Sequence, residues 1–373
     1  QKQIRVQDVG ARPISSVSHP PPAAAVQNPP LSQGGTQGDN QGAAQSGSKE
    51  SVIEEIAVLE RKIAEASIPK PLEDRLMRMV ARLMRMAKFG SYSGEFELID
   101  KYADWVTRIP WNKMTQDQLD LERARQIMEA NHYGMASVKE LVLDYLAVMK
   151  MHVEKGRTAG TIHADTADVQ GSAAHAPIIC FVGLQGVGKT TMAKSIAQTL
   201  GRKYVRVSLG ALGSVTQLRG QSRAYLDAEP GQIVKALVRT GTMNPVILLD
   251  EIDKISGKVG LLSDVMAALL EILDPEQNYA FVDHYVDYPI DLSNVMFIAT
   301  ANNLGTLSAA LLDRLELTRV TSYSDQEKII IAQQYLLPRV LEATGLDSTQ
   351  VEIQEDVWPH VVRPLGFDAG IRQ

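Results

Sequence analysis

The sequence predicts an α/β chain built on a five-stranded, parallel, doubly wound sheet, preceded by a helical N-terminal segment and followed by a partial helical lid. Three observations carry that expectation. Short apolar runs alternate with helical stretches from residue 177 onward, the order of a parallel sheet with crossover helices. A glycine-rich loop, Gly183-Leu184-Gln185-Gly186-Val187-Gly188-Lys189-Thr190, joins the first of these runs to a row of helix formers at 191–200. Upstream, from Ser51, apolar residues recur at helical spacing.

Residues 1–50 are the first element in chain order, and between 13 and 49 they are rich in Pro, Gln, Gly, Ser and Ala. That composition buries too little apolar surface to offset the entropy of ordering, so it predicts a disordered linker with another domain before it. Residues 51–125 predict the helical end of that N-terminal domain. Ile53, Ile56, Leu59 or Glu60, and Ile63 approximate one stripe; Leu76, Met79, Val80 and Leu83 form a second. Met77, Met79, Met84 and Met86 read as a helical core or pairing seam in preference to a soft-metal surface. A third helix is expected over 95–106 with Leu98, Ile99, Tyr102 and Trp105 inward. Ile109-Pro110-Trp111 ends it, because proline excludes its predecessor from helix.

Two further helical stretches follow Leu119, separated by His132-Tyr133-Gly134; the second carries Val138, Leu141, Val142, Tyr145 and Val148. Residues 151–176 predict a polar loop whose His152, His163 and His175 match no compact zinc spacing. The α/β core is expected over 126–321, with strands at 177–182, 204–209, 245–249, 295–300 and 317–321. Ser324-Asp325-Gln326-Glu327 is a capping box that starts a helix to about 343 and opens a helical lid over 322–373. The chain begins at Gln1 and stops inside an apparent helix start at Gly370-Ile371-Arg372-Gln373, which suggests a fragment of a longer protein.

Strand, glycine loop, Lys-Thr and helix in that order hold nucleotide phosphates. Gly183, Gly186 and Gly188 let the backbone around Val187 curl so that successive N–H groups turn inward, and the following helix adds its positive end. Lys189 is expected to reach the β- and γ-phosphates of ATP; Thr190 is expected to ligate Mg²⁺, with Thr191 beside it in the nucleotide site. A second signal is Val246-Ile247-Leu248-Leu249-Asp250-Glu251, a buried strand that presents two carboxylates at its C-terminal edge, where open α/β sheets bind ligands. Asp250 is expected to hold Mg²⁺ and Glu251 to polarise the water that attacks the γ-phosphate. Asn302, after the fourth strand, is either a turn former or a hydrogen-bond partner of that water or phosphate. Arg314 is either a finger reaching a neighbouring subunit's nucleotide or a surface ion pair with Asp313 or Glu316.

Composition narrows the classes. Forty-five per cent apolar residues support a sizeable core, and 5% aromatics make it mainly aliphatic. A net charge of −6 argues against a chain devoted to nucleic acid, though a local basic patch leaves such a partner open. The single cysteine, Cys180, reads as a small buried apolar residue and cannot form an internal disulfide, which points to a reducing, cytoplasmic setting. No apolar run approaches the roughly 18 residues of a membrane span, and no membrane partner is expected.

The core resembles the AAA+ ATPases and, in detail, the ATPase module of the Lon proteases. The specific strings are Leu269-Leu270-Glu271-Ile272-Leu273-Asp274-Pro275-Glu276-Gln277-Asn278, Phe281-Val282-Asp283-His284-Tyr285 and the run from Asp291 to Asn302. Tyr102-Ala103-Asp104-Trp105, Ile109-Pro110-Trp111 and His132-Tyr133-Gly134 extend the resemblance upstream, so that it covers Ser51 to the last residue. It implies a sensor role for Asn302, a trans-acting finger for Arg314, a lid sensor for Arg372 and an adenine-pocket position for Tyr133. Arg223-Ala224-Tyr225-Leu226-Asp227-Ala228-Glu229-Pro230-Gly231 is similar to the first pore loop, in which Tyr225 and Leu226 would grip unfolded or damaged protein in the channel of a hexameric homo-oligomer. Residues near 257–261 would form a second pore loop, and His284 would be structural.

The sequence departs from the family at Leu184-Gln185, where Pro-Pro is usual, at Asp227, where glycine is usual, and in a longer 151–176 loop. The serine and lysine of the family's peptidase have no counterpart here. The resemblance favours the motor of an ATP-dependent serine protease acting in protein quality control. A stand-alone unfoldase or remodeller and a nucleic-acid-dependent ATPase are the competing readings, the last disfavoured by net acidity and an aromatic pore loop.

Overall fold

A computed structural model describes residues 41–88, 94–154, 178–225, 227–255, 259–347 and 349–363. Its strands are β1 (Ile178–Val182), β2 (Tyr204–Ser208), β3 (Val246–Asp250), β4 (Phe281–Val282), β5 (Pro289–Ile290), β6 (Met296–Ala301) and β7 (Leu315–Arg319). The expected five-stranded sheet is present in the order β2-β3-β6-β1-β7, with every pairing parallel. Period-two alternation buries both of its faces. Ile179 and Phe181 of β1, Val246 and Leu248 of β3, and Met296 and Ile298 of β6 share one core. Cys180, Ile247, Leu249, Phe297 and Ala299 belong to the other. Burial pushes the Cys180 thiol up to about 12, which keeps it an inert apolar filler. The last strand lies at 315–319 and not at 317–321, because its pairing with β1 begins at Ile178 opposite Leu315. The antiparallel pair β4–β5 has two-residue strands too short to leave a sequence pattern.

The N-terminal helices are α1 (Gln41–Glu65), α2 (Lys70–Lys88) and α3 (Glu95–Arg108). Helix α1 starts ten residues before Ser51, inside the expected linker, and extends from the buried stripe Ile56, Leu59 and Ile63. The methionines at 77, 79 and 84 pack beside the buried Leu76, Val80 and Leu83 of α2, forming a seam. In α3 the inward stripe is Ile99, Tyr102, Ala103 and Val106; Leu98, one position off that stripe, is exposed. These helices share one hydrophobic core with the sheet. The Tyr102 hydroxyl donates to the Val286 carbonyl at 2.9 Å, and Arg75 donates to that of Asp287 at 2.9 Å.

Helix α4 (Leu121–Asn131), capped by Asp120, runs through residue 125 and packs Ala124 and Met128 in the same core as Met192 and Ile196 of α6 (Lys189–Leu200). Helix α5 (Ala136–Glu154) buries Val138, Val142, Leu146 and Met149 and leaves Val148 exposed; it also takes His152, expected in a loop from 151, into its last turn. His163 and His175 lie outside the described residues. Helices α7 (Val215–Arg219), α8 (Gln232–Thr240), α9 (Val259–Leu273) and α10 (Ala309–Leu312) add Leu218, Ile233, Leu269 and Leu311 to the core that holds Cys180.

The C-terminal helices begin after Ser324, whose capping box with Glu327 is formed. Helix α11 (Asp325–Ile331) passes through one wide π turn, Ala332–Leu336, into α12 (Leu337–Thr344) and is followed by α13 (Trp358–Val362). Pro338 explains the π turn: it has no N–H to donate and its ring crowds the carbonyl four residues back.

Candidate functional site

The central strands β3, β6 and β1 bring the sequence-marked polar residues to one edge of the sheet. Beyond β1, the Gly183 N–H donates to Ala301 at 3.1 Å, and a Cβ at Gly183 would lie 2.3 Å from the Val320 carbonyl oxygen, so the strands pass too closely for a side chain. Gly186 and Gly188 have φ of 82° and 92°, which only glycine adopts without strain. The turn they make opens the unpaired N–H groups of α6 onto a cleft of about 450 Å³. Residues 185–191 line its floor, with Tyr133, Asp250, Glu251 and Asn302 around them.

Lys189 reaches across this floor. Its ammonium donates to the Gly183 carbonyl at 2.5 Å, to that of Leu184 at 3.1 Å and to Asn302 Oδ1 at 2.6 Å. Burial lowers the Lys189 pKa, and the negative field of Asp253, Asp250 and Glu251 opposes that shift. Asp250 ends β3 and is 5% exposed. Its carboxylate accepts Arg206 Nε at 2.6 Å and the Thr300 hydroxyl. Glu251 turns sharply into the left-handed region, with φ 58° and ψ 51°. Its N–H donates to Thr300 Oγ1 at 2.9 Å, and its carboxylate accepts Lys254 Nζ at 2.5 Å. One threonine thus fixes both acidic residues.

The other wall is built by the α4–α5 turn and the C-terminal helices α11 and α12. His132 Nε2 lies 2.9 Å from Ser195 Oγ on α6, and the buried Lys139 ammonium donates to the His132 carbonyl at 2.8 Å. These bonds pin the turn that carries Tyr133. Burial, with the Lys139 and Arg339 charges, pushes the His132 imidazole down to about 4. Tyr335 donates to the Glu129 carbonyl at 3.1 Å, Arg339 to Asn131 Oδ1 at 3.4 Å and Tyr323 to the Val187 carbonyl at 3.2 Å.

Residues 179–323 match the model of the ATPase family associated with various cellular activities (AAA). The chain is 45% identical over 320 residues to Lon protease 2 of Thermus thermophilus, covering 86% of this chain and 38% of that protein. It is 42% identical over 318 residues to the Lon protease of Roseiflexus castenholzii, covering 85% and 37%. Lon protease 1 of Bacillus subtilis is 39% identical over 326 residues, covering 87% and 39%. Over most of its length the chain is similar to the Lon proteases, and within that stretch it matches the AAA ATPases. It spans less than two fifths of the length of these relatives.

Other sequence-marked residues lie away from the cleft of the AAA domain. Arg314 pairs with Asp274 Oδ1 at 2.7 Å, and neither Asp313 nor Glu316 is that partner. Asp274 is buried, which raises its pKa, but the Glu276 N–H, Arg314 and the Gln277 side chain together hold it below its ordinary value. Tyr225 projects from the loop after α7 and is 61% exposed. The His284 side chain is exposed, while its N–H donates to the Arg219 carbonyl at 2.8 Å. Leu226 and Arg372 lie outside the described residues, as do Gly257 and Lys258; Val259–Leu261 belongs to the first turn of α9. Among the described residues no cluster of three His, Cys, Asp or Glu side chains suits a metal, and no helix is long and apolar enough to cross a membrane.

Sequence reasoning missed Thr300, Arg206, His132, and Tyr335 and Arg339 of the C-terminal helices. Thr300 reads as an ordinary strand former, and its second role follows from register: Leu249 pairs with Ala299, so the next residues on each strand meet at the edge. His132 and Tyr133 carried a signal as part of the His-Tyr-Gly string.

Proposed function

We propose that this chain is the ATP-hydrolysing motor of a Lon-type ATP-dependent protease, working as a homohexameric ring that unfolds and translocates polypeptide in the cytoplasm. The observation that carries the reading is the convergence of Lys189, Asp250, Glu251 and Asn302, drawn from three adjacent strands onto one glycine-lined cleft. In this reading the residues before α1 are a linker, α1 to α3 end an N-terminal domain, the motor core runs from α4 to residue 321, and 322–373 begin the lid.

ATP lies with its phosphates on residues 183–191 and its base near Tyr133. Lys189 exchanges its carbonyl partners for the β- and γ-phosphate oxygens. The Thr190 hydroxyl and the Asp250 carboxylate, both lining the cleft, are the hard oxygen donors that Mg²⁺ takes. Both Asp250 oxygens already hold a hydrogen bond, which suits a cation that keeps several of its waters. When bound, the ion neutralises phosphate charge. Glu251 accepts a proton from the attacking water, Asn302 orients that water or the γ-phosphate, and Arg372 senses the nucleotide from the lid. Arg314 stabilises charge on the neighbouring subunit's ATP, while Tyr225 and Leu226 grip the substrate chain.

Glu251→Gln tests the assignment. The variant is expected to bind ATP normally and to hydrolyse it about 10²–10³-fold more slowly. Normal turnover would remove Glu251 from the chemistry.

A further inference from the structure

The turn 283–288, between β4 and β5, lies outside the nucleotide cleft, yet both ends and the middle of the exposed loop 221–230 are fastened to it. Asp283 is fully buried. Its Oδ2 accepts the Gly231 N–H at 2.7 Å, and its Oδ1 accepts those of Tyr285 at 2.8 Å and Val286 at 3.2 Å. At the other end of the loop Gly220 has φ 81°, and a Cβ there would strike the same Asp283 carboxylate. A Cβ at Gly231 would lie 2.1 Å from the Leu218 carbonyl oxygen and 2.7 Å from the Gly220 nitrogen. The loop therefore closes backbone against backbone with one carboxylate wedged at its neck.

Asp287 holds the middle. Arg223 donates to its Oδ2 at 3.4 Å, and the same guanidinium stacks 4.0 Å from the Tyr102 ring centre. Gln221 N–H donates to Glu229 across the loop at 3.1 Å. Tyr225 stands at the exposed tip of this braced structure.

We propose that Asp283 is a positioning residue for the polypeptide-gripping loop: its carboxylate locks the loop's neck so that a pull on Tyr225 is borne by the turn 283–288 and the core beneath it. This rests on the reading of Tyr225 given above. A loop with a free neck would flex under load and deliver less of each stroke to a folded substrate. An unfolded chain, which resists little, would be moved almost as well.

The chemistry of the clamp selects the test. With Asp283→Asn, the amide oxygen can keep the bonds to Tyr285 and Val286, and the NH₂ then faces the Gly231 N–H, donor against donor. The turn is kept and the neck released. In the full-length protein, ATP KM and basal turnover are expected to stay within about twofold, unfolding of a stably folded substrate to fall about tenfold, and degradation of an unfolded polypeptide to fall less than about threefold. Amide exchange is expected to accelerate over 221–231 and to stay unchanged in β3 and β6.

If Asp283→Asn does not fold, Asp287→Asn, at a half-exposed position, is expected to cut unfolding of the folded substrate about threefold with ATPase intact. The proposal is overturned if Tyr225→Ala abolishes pulling while Asp283→Asn and Asp287→Asn unfold the folded substrate at the normal rate. It is equally overturned if ATPase and unfolding fall in proportion, which is the mark of a merely structural residue. If Tyr225→Ala leaves pulling intact, the loop reading is what fails, and the exchange data still report whether Asp283 locks the neck.

Discussion

Glu251 holds a left-handed backbone conformation that costs about 1–3 kcal/mol in a residue with a side chain. Thr300 is what over-determines it, bonding the Glu251 N–H and the Asp250 carboxylate with one hydroxyl. Thr300→Val keeps the shape and removes both bonds. It is expected to lower ATP turnover about tenfold or more and stability by about 1–3 kcal/mol, with ATP affinity little changed; steady-state kinetics and urea melts check both. His132 gives a pH signature. Its imidazole protonates near 6.5 in the unfolded chain and near 4 in the fold, so between those values the unfolded state binds the extra proton. Its contribution is complete above pH 6.5 and is lost as pH falls toward 4, about 3 kcal/mol in all. Comparing urea midpoints of the native protein and His132→Gln from pH 7.5 to 4.5 is expected to show a shallower decline in the variant. Lys189 and Asp250 were legible because their motifs are local in sequence. Thr300 and His132 were not, since their roles depend on which strand or helix comes to lie beside them.

Elements with a strong period or a cap are legible in the sequence. The first four apolar runs became strands within a residue or two, and Ser324 and Glu327 cap α11 as their spacing implied. Elements shaped by tertiary contact were not legible: the two-residue strands β4 and β5, the early start of α1 and the π turn before Pro338. That turn sets the register of Tyr335, Leu336 and Arg339 along the cleft. Pro338→Ala permits a regular helix, which removes a strain of up to about 3 kcal/mol and rotates those side chains. A higher melting temperature together with an ATP KM raised about threefold or more is the expected pair of results. On the loop after α7, Tyr225→Ala is expected to slow substrate pulling at least about tenfold without moving ATP KM, read by unfolding and ATPase assays in parallel.

At the scale of the whole molecule, Arg314 lies outside its own chain's cleft and pairs with Asp274, an arrangement that suits service to a neighbouring subunit. Arg314→Ala and Glu251→Gln should each be nearly inactive alone. Mixed rings should regain ATPase, because an intact Glu251 on one subunit then meets an intact Arg314 on the next. A finger acting within one chain gives no such rescue. The central claim is that ATP turnover drives work on polypeptide, and the direct measurement is the ATPase rate of the full-length protein with an unfolded protein such as casein, compared with double-stranded DNA. The account expects the rate to rise with the unfolded protein and with Tyr225 intact; a rate that rises with DNA and ignores the polypeptide would contradict it.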